Sequence, residues 1–219
     1  MSKLVYNILI AIVIIAVIGS LIISCDAVAA GDGDAYIEPA DAQLALDTQD
    51  IPTVATVPMV DWRGCSGKMQ DHPCNFTLMD QHGNNWRLYD HVGNIIVLDL
   101  STVWCGVCQH AAMSAEQYQD IYADKGVIWV TILLENYYGQ VPTLADIQEW
   151  AMVFGLEDAV VLAGNIGLLD PTSQKGWYIN SLPLFLVIDR DMTTTYRLDG
   201  YSEPQIQQWV DIMLAAEKY

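Results

Sequence analysis

The most constraining feature of the sequence is the passage from residue 95 to residue 108. Ile95-Ile96-Val97-Leu98-Asp99-Leu100 is a nearly continuous apolar run, which is how a strand buried on both faces reads. Five residues on, Cys105-Gly106-Val107-Cys108 opens a helical pattern predicted to run from about Cys105 to Asp124, with Gly126 as its stop. A C-x-x-C pair between a buried strand and a helix start reads as a redox pair rather than half of a zinc site.

The chemistry fits that position. The attacking species in disulfide exchange is a thiolate, and free cysteine is mostly protonated near neutral pH. A helix N-terminus offers unpaired N–H groups and a partial positive charge, both favouring the anion. Cys105 stands there. Cys108, three residues on, returns to the same side of the first turn and is expected to be the more buried partner. In the cycle this implies, Cys105 attacks a substrate disulfide, a mixed disulfide forms, and Cys108 resolves it. The reverse direction oxidises a substrate dithiol, and neither direction calls for a cofactor.

The remaining patterning surrounds this unit with alternating strands and helices. Phe76 to Met79 reads as a short strand, residues 80–84 as a turn, and Trp86-Arg87-Leu88 as the returning hairpin partner. Val127 to Leu134 is a second buried strand. Thr143 and Asp146 make a capping-box pattern ahead of Ile147, Trp150, Ala151 and Phe154 on one helix face, with Gly155 suited to the C-terminal cap. Val160 to Ala163 and Pro183 to Asp189 are further strands. Thr193 to Leu198 alternates like a half-exposed antiparallel partner across a turn at Arg190-Asp191. Ser202 and Gln205 would cap a last helix with Ile206, Trp209, Val210 and Met213 on one face. The pattern predicts an α/β fold, a central mixed sheet with helices on both faces and an N-terminal hairpin extension.

Upstream, Lys3 precedes an apolar run from Leu4 to Ile23 that ends at Ser24-Cys25. A basic start, an apolar stretch and small residues form the layout of a secretory leader. An uncleaved helix is the alternative, since about 20 apolar residues span a bilayer. Either device tethers the rest of the chain outside the cytoplasm. Residues 26–57 contain seven acidic residues and no lysine or arginine, with Gly31, Gly33, Pro39 and Pro52 as punctuation. Such a segment predicts a mobile acidic linker. One domain, residues 58–219, remains. With 27 acidic residues against 9 basic, a formal net charge of −18 excludes nucleic-acid binding, because no basic surface exists to neutralise phosphates.

Five cysteines are present. Cys65 and Cys74 lie in a loop-rich stretch. In an oxidising compartment the economical reading is a structural disulfide between them, stabilising by about 2–3 kcal/mol. The alternative is a second redox pair that relays to Cys105.

The motifs together resemble the thioredoxin superfamily, in particular its extracytoplasmic TlpA-like and redoxin (AhpC/TSA-type) branch. Trp104 with the two cysteines matches W-C-x-x-C. Phe76-Thr77-Leu78-Met79-Asp80 with Gly83 is similar to that branch's F-x-L-x-D-x-x-G hairpin. Leu182-Pro183 and the strand after it look like the family's cis-proline strand, and Gly200 fits the glycine after the final hairpin. The resemblance covers roughly residues 74–218. Ile22-Ile23-Ser24-Cys25 resembles the bacterial lipobox, which implies lipidation of Cys25 and a lipoprotein facing the periplasm or exterior. The thioredoxin-superfamily resemblance further implies that Trp104 forms an apolar platform beside the thiols, and that Pro183 lies opposite the motif. The Leu182 backbone would pair with an extended substrate segment. Asp99, six positions before Cys105, matches a buried carboxylate that moves the proton of the resolving cysteine, with its pKa raised by burial. The implied partners are protein thiol and disulfide clients, and a membrane electron donor if the protein works as a reductant.

Two departures stand out. Val107 occupies a position where the family often has proline, so its N–H is retained, and Leu182 stands where threonine or valine is common. Two rival functions use the same residues. Thr102 completes the T-x-x-C of a redoxin-type thiol peroxidase, although Leu98 replaces the proline expected seven before the cysteine. Two thiolates would also suit a copper carrier, but all four histidines, His72, His82, His91 and His110, lie at or before the motif helix.

Overall fold

The computed structural model describes residues 64–216. The leader, its Cys25, the linker 26–57, residues 58–63 and the last three residues lie outside the described residues. Among those described, no helix is long and apolar enough to cross a membrane.

Seven strands form one mixed sheet: β1 (Thr77–Asp80), β2 (Asn85–Arg87), β3 (Ile95–Ser101), β4 (Val127–Leu133), β5 (Val160–Ala163), β6 (Leu184–Ile188) and β7 (Thr194–Asp199). Their spatial order is β2-β1-β5-β4-β3-β6-β7. β3, β4 and β5 run parallel, whereas β6 lies antiparallel to β3 and β7 antiparallel to β6. β3 is buried along its whole length, as its unbroken apolar run requires of a central strand. The β1–β2 hairpin joins the edge through β5. Gln81, just past β1, strengthens that junction. Its amide donates to the Ala159 carbonyl at 2.9 Å and its side-chain oxygen accepts from the Val161 N–H at 2.8 Å. A side chain thereby replaces the backbone partner that β5 would otherwise lack.

Alternation along the strands divides the interior into two cores. Ile95, Val97, Val127, Trp129, Leu133, Phe185 and Val187 face one; Ile96, Leu98, Leu100, Val130, Ile132, Leu184 and Leu186 face the other. The first is covered by the α-helices of the described residues: α1 (Gly106–Ala112), α2 (Ala115–Tyr122), α3 (Leu144–Phe154) and α4 (Glu203–Ala216). The sheet is flanked by helices as the pattern predicts, but unevenly, with α-helices on one face and short 3-10 turns on the other. Among the described residues, 3-10 turns at Leu88–His91 and Ile166–Leu168, with Trp86, Trp177, Ile179 and Met192, cover the second face. The reason is topological. The connections β3 to β4 and β4 to β5 step in the same direction along the sheet, and right-handed crossovers of that kind put their helices on the same face.

The capping box forms as the sequence requires. Thr143 and Asp146 exchange hydrogen bonds at the start of α3, and Gly155 takes the left-handed conformation at its end (φ 67°). The long helix expected from Cys105 to Asp124 is instead interrupted at Met113-Ser114. There the Ser114 hydroxyl bonds the Ala111 carbonyl at 3.2 Å and the Tyr201 hydroxyl at 2.8 Å. A serine hydroxyl that competes for a backbone carbonyl bends a helix, and Tyr201 anchors the bend to the chain entering α4. Glu116, near the start of α2, accepts the N–H groups of Glu157, Asp158 and Ala159 at 2.8–3.0 Å, tying this helix to the entrance of β5.

Candidate active site

Cys105 is the N-cap of α1, with extended backbone (φ −85°, ψ 111°). Its Sγ accepts the Cys108 N–H at 3.2 Å, so one of the unpaired donors of the first helical turn is aimed at the sulfur. Cys105 and Cys108 are joined as a disulfide, with their Cα atoms 5.2 Å apart. Cys108 is fully buried and Cys105 retains 9% exposure. An open cavity of about 550 Å³ borders the pair, lined by Trp104, Cys105, Gly106 and Val107 on one side and Ile179, Asn180, Ser181 and Leu182 on the other. The Leu182–Pro183 peptide bond is cis, and Leu182 forms the far wall of that cavity. Trp104 is 49% exposed, and its indole N–H donates to Glu135 at 3.0 Å, which fixes the ring at the rim.

Asp99 lies on the face of β3 that carries Ile95 and Val97, beneath the helical layer that contains Cys108. It is 1% exposed. Burial pushes its pKa up from 3.8 to about 7, against the opposing pull of hydrogen bonds from Ser101 and Thr131. The Ser101 hydroxyl donates to one carboxylate oxygen at 2.6 Å, and the Thr131 hydroxyl donates to the other at 3.5 Å. An acid poised near neutrality on the side of the sheet that bears the second cysteine can accept and return a proton over the physiological range.

Cys65 and Cys74 form a second disulfide, with Cα atoms 4.8 Å apart. The loop they close is bonded into its surroundings. The Ser66 N–H donates to the His72 carbonyl, Gly67 to Ser173, Gln70 to Thr194, and Thr194 back to Asp71. A Cβ at Gly67 would stand 1.9 Å from the Gly176 carbonyl oxygen, so only glycine permits this approach.

The histidines are dispersed. His72 bonds the Met192 carbonyl, His91 stacks on Trp86 with ring centres 4.4 Å apart, and His110 meets the edge of Tyr201. The Thr102 hydroxyl is buried and has no hydrogen-bond partner.

Several residues around the site escaped sequence reasoning. Ser101 and Thr131 hold Asp99, Glu135 holds Trp104, Ser114 and Tyr201 bend the motif helix, and Ile179, Asn180 and Ser181 line the groove. One signal was available: Thr131 interrupts an apolar strand, and parallel pairing sets it opposite Asp99. The others come from segments far apart in sequence and carry no local mark.

No protein-family model and no curated protein sequence matches the chain. Solved structures do. A thiol:disulfide interchange protein of the thioredoxin family from Chlorobium tepidum is 17% identical, with a TM-score of 0.53 over 71% of this chain and 99% of that one. The pneumococcal exposed lipoprotein thioredoxin from Streptococcus pneumoniae is 21% identical, with a TM-score of 0.52 over 63% and 98%. The thioredoxin domain of a thiol-disulfide oxidoreductase from Bacteroides vulgatus is 14% identical, with a TM-score of 0.53 over 67% and 98%. At these identities the likeness is one of fold.

Proposed function

We propose, from the premise that this chain has a thioredoxin-like fold, that it is a thiol–disulfide oxidoreductase exchanging disulfides with protein clients through Cys105 and Cys108. The observation that carries the reading is the closed Cys105–Cys108 pair at a helix start. An N–H points at the first sulfur, a groove runs past it, and a buried acid sits behind. In the reduced form the Cys105 thiolate attacks one sulfur of a client disulfide. The other client sulfur leaves as a thiolate and takes up a proton. Asp99 receives the proton of Cys108, whose thiolate displaces the client from Cys105 and closes the internal disulfide. The client gains two electrons and the chain loses two, so each turnover needs a dithiol or membrane donor to reopen the bond. Trp104 and Leu182 would flank the client segment, and the Leu182 backbone beside Pro183 would pair with it as an added strand.

The leader reading extends this to an extracytoplasmic setting, with Cys25 lipidated, residues 26–57 as spacer and Cys65–Cys74 as a structural bond of the same oxidising compartment. The bacterial cell envelope is the location that this arrangement supports.

Replacing Cys108 with alanine removes the resolving thiol. Cys108→Ala in envelope extract is expected to accumulate mixed disulfides on Cys105 that a reducing gel dissolves. Recovery of no protein adduct above the level of a Cys105→Ser, Cys108→Ala control would refute client exchange.

A further inference from the structure

A second cavity, of about 410 Å³, is lined in part by residues that flank the motif in sequence. Its near wall is Val103, two residues before Cys105, and Gln109 of α1. The Gln109 amide donates to the Val103 carbonyl at 2.8 Å. Trp150 and Phe154 of α3, with ring centres 4.6 Å apart, supply apolar surface. Tyr138 and its neighbour Tyr137 form the outer wall and are 82% and 70% exposed. Large aromatics left this open beside a reactive pair need a reason. Their loop is nonetheless held: the Asn136 side chain accepts the N–H groups of Tyr138 and Gln140, and the Asn136 N–H donates to the Gln140 carbonyl. A fixed backbone with exposed rings is arranged in advance for contact.

The charges at this place have one sign. Asp146 and Glu149 line the cavity, and Glu135 accepts the indole N–H of Trp104, which lines the motif groove. Among the described residues no lysine or arginine lines either cavity. A second copy of a chain with net charge −18 would be repelled, as would the chain's own residues 26–57, which hold no basic residue.

We propose that this cavity docks a client segment in which an apolar side chain neighbours an arginine or lysine. The apolar group enters against Trp150 and Phe154, while the cation lies between Glu149 and the face of Tyr138, where carboxylate and ring attract it together. Docking there leaves the client's adjoining residues within reach of Cys105, because Val103 of this cavity and Trp104 of the motif groove are consecutive residues. The inference deepens the thiol–disulfide reading and rests on it for the identity of the ligand as a polypeptide.

The test uses the full chain in detergent and two ten-residue peptides with serine at the cysteine position. One has Leu-Arg beside that serine and the other Ser-Glu. Calorimetric titration is expected to show the Leu-Arg peptide binding about tenfold tighter, with an advantage that shrinks as salt rises. Glu149→Lys and Tyr138→Ser should each reduce that binding by about threefold or more. Glu149→Gln, at an exposed helix position, provides a milder variant should either of these fail to fold. Equal binding of the two peptides, or variants that bind as the wild type does, overturns the proposal. So does self-association of the wild type that Glu149→Lys abolishes, since it would assign the cavity to a second copy. Exchange with dithiothreitol, measured alongside, judges the oxidoreductase reading separately: its absence refutes that reading while the serine peptides still decide the cavity.

Discussion

Cys65 and Cys74 close a loop that is exposed at one cysteine and half-buried at the other. Cys105 and Cys108 close a helix turn whose sulfurs are almost out of solvent. Accessibility alone would single out the first pair for exchange, the opposite of the function proposed above. The difference lies in what each bond is set among. Backbone hydrogen bonds tie the first loop to Ser173 and Thr194, so the segment is held in many places at once. The second pair has an N–H directed at one sulfur, a groove of about 550 Å³ alongside, and Asp99 held near neutrality behind it. A disulfide exchanges readily when its thiolate is stabilised and a partner can approach in line, and the proposed function assigns that role to the second pair on the strength of the directed N–H and the larger groove.

That comparison can be broken most directly by exchanging the roles. Cys105→Ser is expected to abolish exchange with a disulfide substrate, whereas Cys65→Ser with Cys74→Ser should retain it within about twofold. Loss of turnover in the double variant, with its fold intact by circular dichroism, would make Cys65 and Cys74 a relay instead of a staple.

The role of Asp99 comes next in size. Asp99→Asn should slow resolution of the mixed disulfide by about a hundredfold and remove the limb of the pH–rate profile near pH 7. Stability provides an independent check. Because burial raises the folded-state pKa of Asp99 from 3.8 to about 7, the unfolded chain ionises first as pH rises. The stability contributed by the protonated form is fully present below about pH 4 and is lost as pH climbs through about 7. At about 1.4 kcal/mol per pH unit, the interval from 3.8 to about 7 corresponds to at most about 4 kcal/mol. Urea titrations at pH 4 and pH 8 should show this loss in the wild type and a smaller one in Asp99→Asn. A loss of equal size in both would mean that Asp99 is not its source.

Opening the staple should have a purely structural effect. Cys65→Ser with Cys74→Ser is expected to lower unfolding free energy by about 2–3 kcal/mol, read from the shift in urea midpoint. The smallest effect is expected at Val107, which is half exposed beside Cys105 and keeps an N–H that proline lacks. Val107→Pro should move the couple toward more reducing potential by about 30 mV, equivalent to about 1.4 kcal/mol. Equilibration with dithiothreitol measures it, and a shift in the oxidising direction would sink the argument.

Much of this is legible in the amino-acid sequence alone. The apolar runs at 95–100 and 127–134, the capping box at Thr143 and Asp146, and the helix opening at Cys105 are local patterns. Each element follows from spacing that the chain carries within a dozen residues. What periodicity could not place was the layer each helix joins. Hydrophobic spacing identifies which side of a helix is buried but leaves open the face of the sheet that receives it; α1, α2 and α3 share one side through crossover handedness. The break at Ser114 likewise depends on Tyr201, 87 residues away.

By itself the sequence determined the strands, the helix that Cys105 opens, and the chemistry that two thiols at that spacing can perform. Only the tertiary structure decided that Asp99 is sealed under the helical layer instead of facing water, that Leu182 and Ile179 form the opposite wall of the groove, and that the Tyr138 cavity adjoins it. The physical reason is range. Backbone conformation and amphipathic spacing act over one or two turns, whereas desolvation, and with it a carboxyl titrating near 7, is created by residues that meet only after the chain has folded.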